Sequence, residues 1–138
     1  DCTASNYCTS TPNSSGSAAT ISVAGSLGIA ANDTQLLASG CPPNRPGFFF
    51  YGANPTQIPF ANGYLCVSPF PPGLFKVPPA VVVGANGHAQ VALDFAHLPE
   101  GGDILDGSTW YFQFWFRDRG WGVAGCNLSD AARVTFCP

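Results

Sequence analysis

The chain has 138 residues, a net charge of −3 and only 9% charged residues, compared with about 25% in ordinary soluble domains. This length suits one domain, and the 46% hydrophobic content can supply its core. The acidic balance argues against a nucleic-acid partner. No apolar run approaches the roughly 18 residues of a membrane span. We therefore expect one domain over residues 1–138, with no nucleic-acid partner and no membrane span.

The first 18 residues are rich in Ser, Thr, Asn and Gly and predict an irregular arm tethered by cysteines. Beyond them, 16 Gly and 13 Pro separate short apolar or alternating segments, which is typical of strands joined by turns. Asn62-Gly63 and Asn86-Gly87 each lie between two such segments and predict hairpins. The predicted strands are Thr20–Val23, Thr34–Ala38, Gly47–Gly52, Ile58–Phe60, Tyr64–Ser68, Val81–Val83, His88–Phe95, Thr109–Arg117 and Ala132–Phe136.

Six dispersed cysteines predict three disulfides and an oxidising compartment, so we expect a secreted or cell-surface protein. None of them forms the C-x-x-C pair common in zinc sites. Sequence alone leaves the pairing open. Our preference joins Cys41 to Cys66 and ties the two near-terminal cysteines to the last two. The candidates are Cys2, Cys8, Cys41, Cys66, Cys126 and Cys137. The absence of Met, including at position 1, suggests a processed chain or a segment of a longer one.

The spacing of the strands and the lack of a helical pattern predict an all-β fold. We expect an antiparallel β-sandwich, jelly-roll-like, with about eight strands and three disulfides. Several motifs across residues 7–136 resemble a β-domain that recurs in large exported proteins of planctomycetes and similar bacteria. The resemblance implies an exported module of a multidomain chain, but no activity and no functional residues. It rests on Tyr7-Cys8-Thr9, Pro46–Gly52, Gly63–Val67, Trp110–Asp118, Asn127–Asp130 and Val134–Phe136.

The segment Thr109–Arg117 carries the strongest candidate site. Alternation places Trp110 and three phenylalanines on one face, which we expect in the core. The other face combines aromatic rings with an amide and a guanidinium, the groups that stack on and hydrogen-bond a sugar. The alternative is that this face is covered and that the guanidinium stacks on the indole. The candidate ligand-binding residues are Tyr111, Gln113, Trp115, Arg117 and Trp121, the last on a glycine-flanked loop. We expect the aromatic run Phe48–Tyr51 mainly in the core.

The sequence contains no strong catalytic or metal-binding motif. Asp94 and Asp118 end strands and could face each other, but no spacing singles them out for glycoside hydrolysis. Asp103 and Asp106 lie in a Gly-rich loop, where a structural Ca²⁺ is an alternative to a solvated turn. We expect no cofactor otherwise, and we expect both histidines, His88 and His97, at the surface.

These observations favour binding over catalysis. The leading hypothesis is a non-catalytic, carbohydrate-binding module, monomeric within a larger bacterial secreted protein, which recognises a polysaccharide or surface glycan. The first alternative is a structural or adhesive cell-surface domain without a small ligand. The second is a small secreted hydrolase. Exposure of the Trp and Tyr side chains separates the first two hypotheses.

Overall fold

The computed structural model describes residues 2–138, and within this range it contains ten strands and no helix, hence none that could cross a membrane. All pairings between the strands are antiparallel. The strands are β1 (Thr3–Tyr7), β2 (Thr20–Ala24), β3 (Gln35–Ser39), β4 (Pro46–Gly52), β5 (Pro55–Phe60), β6 (Gly63–Val67), β7 (Phe75–Val82), β8 (Ala89–Ala92), β9 (Thr109–Arg117) and β10 (Cys126–Thr135).

The strands form a five-stranded sheet, a three-stranded sheet and a two-stranded hairpin. The five-stranded sheet has the order β1-β10-β9-β4-β7, and the three-stranded sheet has the order β2-β3-β8. These two sheets face each other across the main hydrophobic core, a sandwich-like arrangement. The β5–β6 hairpin packs on the opposite face of the five-stranded sheet, which we call the hairpin face. The all-β, antiparallel expectation is therefore confirmed, with ten strands instead of about eight.

Strand β9 places its side chains as its alternation predicts. Phe112, Phe114 and Phe116 are fully buried in the main core, together with Trp110. Their rings continue into aromatic contacts with β4, where Phe49 lies 4.5 Å from Phe114 between ring centroids. Burial of large aromatic rings is a main source of stability in such a core. This side of the sheet is the structural centre of the molecule.

A β-bulge in β10 ties the two sheets together. The register of β10 against β9 shifts between Leu128 and Ala131, and the Ser129 hydroxyl accepts a hydrogen bond from the Phe114 amide at 3.0 Å. The next residue, Asp130, accepts hydrogen bonds from the Ile21 amide on β2 and from the Asn6 side chain on β1. A bulge thus redirects one carboxylate towards the second sheet.

The structure corrects the expected disulfides. Two bridges are present, Cys2–Cys137 and Cys8–Cys66, and two thiols, Cys41 and Cys126, are free. Of our preferred pairs, Cys41–Cys66 is wrong, and so is the tie of Cys8 to one of the last two cysteines, whereas the tie of Cys2 is confirmed by its bridge to Cys137. Cys41 and Cys66 lie on opposite sides of the five-stranded sheet, since Cys41 belongs to the main core and Cys66 to the hairpin. Two disulfides in a small all-β domain still indicate an oxidising compartment.

The N-terminal arm and the turns also differ from expectation. Residues 3–7 of the expected irregular arm form β1, which pairs along β10. The first predicted hairpin exists, but its turn falls one residue earlier, with Ala61 at φ 53° and Phe60 paired with Gly63. A Cβ at Gly63 would collide with the Asn127 side chain, so glycine is needed there for packing. The second Asn-Gly joins β7 and β8, which belong to different sheets.

Candidate functional site

The candidate ligand row of β9 lies on the hairpin face, as its alternation predicts, but much of it is covered. Gln113 is fully buried. Its carbonyl oxygen accepts a hydrogen bond from the Cys66 amide at 2.9 Å, and its NH₂ group donates to the carbonyls of Tyr64 (2.9 Å) and Ser129 (2.7 Å). All of these partners belong to the protein, so Gln113 is not available to a ligand. Its role in the structure is to join the hairpin to the sheet.

Tyr111 is half-buried at the edge of the hairpin face. Tyr7 packs edge-on against it, with ring centroids 5.7 Å apart. The Tyr7 hydroxyl donates to the Cys66 carbonyl at 2.6 Å, beside the Cys8–Cys66 bridge. Burial, together with the neighbouring Tyr111, raises the pKa of the Tyr7 phenol well above its ordinary value. The cross-linked end of β1 therefore covers much of the ring that was expected to contact a ligand.

Trp115 is partly exposed and belongs to an aromatic and cationic cluster. Its ring stacks with Phe48 on β4 at a centroid distance of 5.0 Å. The Arg117 guanidinium lies over the same indole, 5.1 Å from its centroid. The Lys76 ammonium lies 4.4 Å from the centroid of the Phe48 ring. Phe48 and Arg117 thus compete with a sugar for the faces of the Trp115 ring.

These rings floor a cleft between the hairpin and the sheet, which we call the hairpin cleft. Its volume is about 480 Å³. The hairpin contributes one wall, and Phe60 keeps 47% of its surface in contact with solvent. Among residues 2–138, Lys76 is the only charged residue that lines the cleft. The lining residues are Phe48, Phe50, Ile58, Phe60, Leu65, Pro69, Leu74, Lys76, Trp115 and Leu128.

Of the residues lining this cleft, only Trp115 was among the sequence candidates. The run Phe48–Tyr51 was expected mainly in the core, and three of its four residues are buried. Phe48 is the exception: it shares the hairpin face with Phe50, but Phe50 is buried there whereas Phe48 stays partly exposed beside Trp115. The apolar pair Ile58 and Phe60 on a short Pro-containing hairpin is a signal in the sequence that could have indicated an exposed apolar surface. Whether that surface lines a cleft depends on where the Cys8–Cys66 bridge holds the hairpin.

Trp121 lies apart from the β9 row, on the loop between β9 and β10. Its side chain is 43% exposed. The loop is fixed by Asn62 of the hairpin turn, whose NH₂ group donates to the Trp121 carbonyl at 2.8 Å. The Asn62 oxygen accepts from the Ala124 amide at 3.0 Å. Trp121 is therefore an exposed ring on a held loop.

Asp94 and Asp118, the carboxylates considered for hydrolysis, have local partners. Asp94 and His97 form an exposed pair with Oδ2 and Nδ1 2.7 Å apart, and this hydrogen bond lowers the pKa of Asp94. Asp118 is fully buried, accepts hydrogen bonds from the Ser14 amide and hydroxyl, and lies 4.0 Å from Arg45 Nε. The two carboxylates, which the sequence placed at strand ends and which lie just beyond β8 and β9, are thus each engaged with a different partner. His88 is exposed, as expected.

The suggested Ca²⁺ loop gains no support from the geometry. Asp103 and Asp106 are exposed between β8 and β9. Across residues 2–138, no group of three or more His, Cys, Asp or Glu side chains is arranged to hold a metal ion. The calcium site stays a prediction from the sequence.

Comparison with known proteins identifies no relative of this chain. No family model matches the chain, and neither a curated protein nor a solved structure matches it. The resemblance to an exported planctomycete β-domain is therefore still a prediction. The functional interpretation rests on the site itself.

Proposed function

We propose that this domain is a non-catalytic binding module of an exported protein and that its ligand occupies the hairpin cleft. The observation that carries the proposal is an open, almost wholly apolar cleft on a sheet whose other face is fully packed. Small-molecule sites are concave and mostly apolar, with volumes of roughly 300–1,000 Å³. The hairpin cleft, at about 480 Å³, lies within that range.

The lining favours an apolar ligand over a sugar at this position. A pyranose needs a free ring face and several hydrogen-bonding groups around it. Phe48 and Arg117 pack against the Trp115 ring, and the Gln113 amide is satisfied inside the protein. Aliphatic and aromatic side chains of the hairpin, such as Ile58 and Phe60, remain in contact with water. Covering them with an apolar ligand removes this unfavourable exposure.

A neutral apolar dye such as N-phenyl-1-naphthylamine tests this proposal directly. The native protein should bind it saturably, with one dye per chain and enhanced fluorescence. Phe60→Ala should weaken binding about tenfold, corresponding to roughly 1.4 kcal/mol of lost contact. Phe70→Ala is the matched control, because Phe70 is 75% exposed and does not line the cleft. Absence of saturable binding to the native protein would remove the proposal and favour the scaffold alternative.

Carbohydrate binding is a second candidate, supported by the exposed Trp121. A large ring on a loop held by Asn62 can stack on a sugar with little ordering cost. In a pull-down on insoluble polysaccharides, Trp121→Ala should then abolish retention without changing the melting temperature. Trp115→Ala should leave retention intact, because the ring is held in the cluster with Phe48. Retention that survives Trp121→Ala would rule out this site.

A further inference from the structure

The cations around the hairpin cleft are notable in an acidic chain. The chain carries five Lys and Arg residues against eight Asp and Glu, and Lys76 is its only lysine. Two of the five cations flank the stacked pair of Phe48 and Trp115, with Lys76 over the first ring and Arg117 over the second. A positive rim thus adjoins an apolar cleft in a protein of net charge −3.

Neither of these cations has a carboxylate partner among residues 2–138. The ion pairs in this range are Arg45 with Asp118 and His97 with Asp94. Of the Asp and Glu residues that the structure describes, none lines the cleft. Lys76 is exposed and Arg117 half-exposed, so an incoming anion can reach both. An ammonium or guanidinium lying on a ring face can still donate hydrogen bonds to an anion from its outer side.

We propose that the ligand of the hairpin cleft is an amphiphilic carboxylate, with an aliphatic or aromatic tail in the cleft and its carboxylate at Lys76. This inference rests on the proposed function and adds the charge and shape of the ligand. The tail contacts Ile58, Phe60 and Leu65 on the hairpin and Phe50 on the sheet. The carboxylate meets the Lys76 ammonium, with Arg117 as a second cation beside Trp115. Charge-assisted hydrogen bonds of this kind are stronger than neutral ones.

The shape of the site favours a single free amphiphile. The apolar surface is concave, with the sheet as its floor and the β5–β6 hairpin as its wall. A membrane surface or a flat partner would contact the rim but leave the space above Phe50 and Leu65, at the base of the cleft, empty. Both of these side chains are already almost fully buried, so only a narrow chain can reach them.

Three ligands with the same ten-carbon tail and different head groups separate the effect of ligand charge from the effect of burying the apolar tail. Isothermal titration below the micellar concentration should compare decanoate, decan-1-ol and decyltrimethylammonium. We expect decanoate to bind about tenfold tighter than decan-1-ol, equivalent to roughly 1.4 kcal/mol, and the cation to bind most weakly. The preference for decanoate should shrink as salt screens the exposed cations.

Lys76→Gln should lower the affinity for decanoate far more than the affinity for decan-1-ol, and so remove most of the preference for decanoate. Arg133→Gln is the matched control, because Arg133 is an exposed cation that does not line the cleft. Equal affinity of decanoate and decan-1-ol, or an unchanged preference in Lys76→Gln, would overturn the carboxylate assignment and leave the apolar cleft standing. Failure of all three ligands would overturn the proposed function as well. If the protein sedimented with anionic phospholipid vesicles but did not bind decanoate, the assignment to a free amphiphile would be overturned.

Discussion

The two faces of the five-stranded sheet are built from the same strands and both carry several aromatic rings, yet they end in different states. On the core face, Phe112, Phe114 and Phe116 of β9 are fully buried under the three-stranded sheet. On the hairpin face, Trp115 and Phe48 keep partial access to solvent beside an open cleft. The covering layer makes the difference, since a two-stranded hairpin is too narrow to close the face that it covers. Aromatic content by itself therefore does not distinguish a core from a binding surface.

Alanine substitution at adjacent positions of β9 gives the largest expected contrast between the faces. Phe114→Ala should lower the free energy of unfolding by about 3–5 kcal/mol, because it opens a cavity in a closed core. Trp115→Ala should cost less than about 2 kcal/mol, because part of the ring already contacts water. Denaturant unfolding of both variants measures the difference. A greater loss for Trp115→Ala would mean that the hairpin face is the more tightly packed one.

Gln113 shows that a polar residue on the hairpin face can serve the fold. Gln113→Leu should destabilise the protein, because the Cys66 amide and the Tyr64 and Ser129 carbonyls lose their partner. Each buried group left unpaired costs about 1–3 kcal/mol.

Gln113→Glu keeps the acceptor for the Cys66 amide, but its protonated carboxyl can donate only one hydrogen bond where the Gln113 NH₂ group donates two. Its stability should fall further as the pH rises and the buried carboxyl is forced to ionise. Chemical unfolding at several pH values measures both variants. Wild-type stability in Gln113→Leu would show that the hairpin does not depend on this amide.

The strands were largely predictable from the sequence, whereas the site was not. The alternation of Thr109–Arg117 is local information, and both its bounds and the inward set of side chains follow from it. The covering of the other face depends on β1 and β6, which the Cys8–Cys66 bridge brings together from 58 residues apart. The alternation shows that Gln113 and Trp115 share a face. It does not show that the hairpin buries the first and only borders the second.

Asp130, which links the two sheets, should produce a smaller and pH-dependent effect. Its burial raises the carboxyl pKa above the ordinary value of 3.8. The folded state therefore holds this proton to a higher pH than the unfolded state. The contribution of Asp130 to stability should fall as the pH rises from the unfolded pKa through the higher folded pKa. The stability difference between the wild type and Asp130→Asn, measured from pH 3 upwards, isolates this effect. A difference that grows in favour of the wild type with rising pH would contradict the direction of the shift.

The two free thiols differ in burial, and their reactivity with a thiol reagent measures this difference. Of the tests proposed, this one should affect the free energy of unfolding least. Cys41 lies in the main core, where burial raises its thiol pKa to about 12, so it should not react with a thiol reagent in the folded protein. Cys126 is only partly buried and should react. The folded protein should thus show one reactive thiol, and the unfolded, unreduced protein two. A count of none after unfolding would demonstrate a third disulfide.

The central claim is that the hairpin face binds a ligand while the core face only stabilises the fold. Amide chemical-shift mapping during a decanoate titration tests it most directly. We expect saturable shifts concentrated in Phe48–Phe50, Ile58–Leu65, Leu74–Lys76 and Trp115, with the β2-β3-β8 sheet unchanged. Shifts spread evenly over both sheets, or shifts that never saturate, would contradict it.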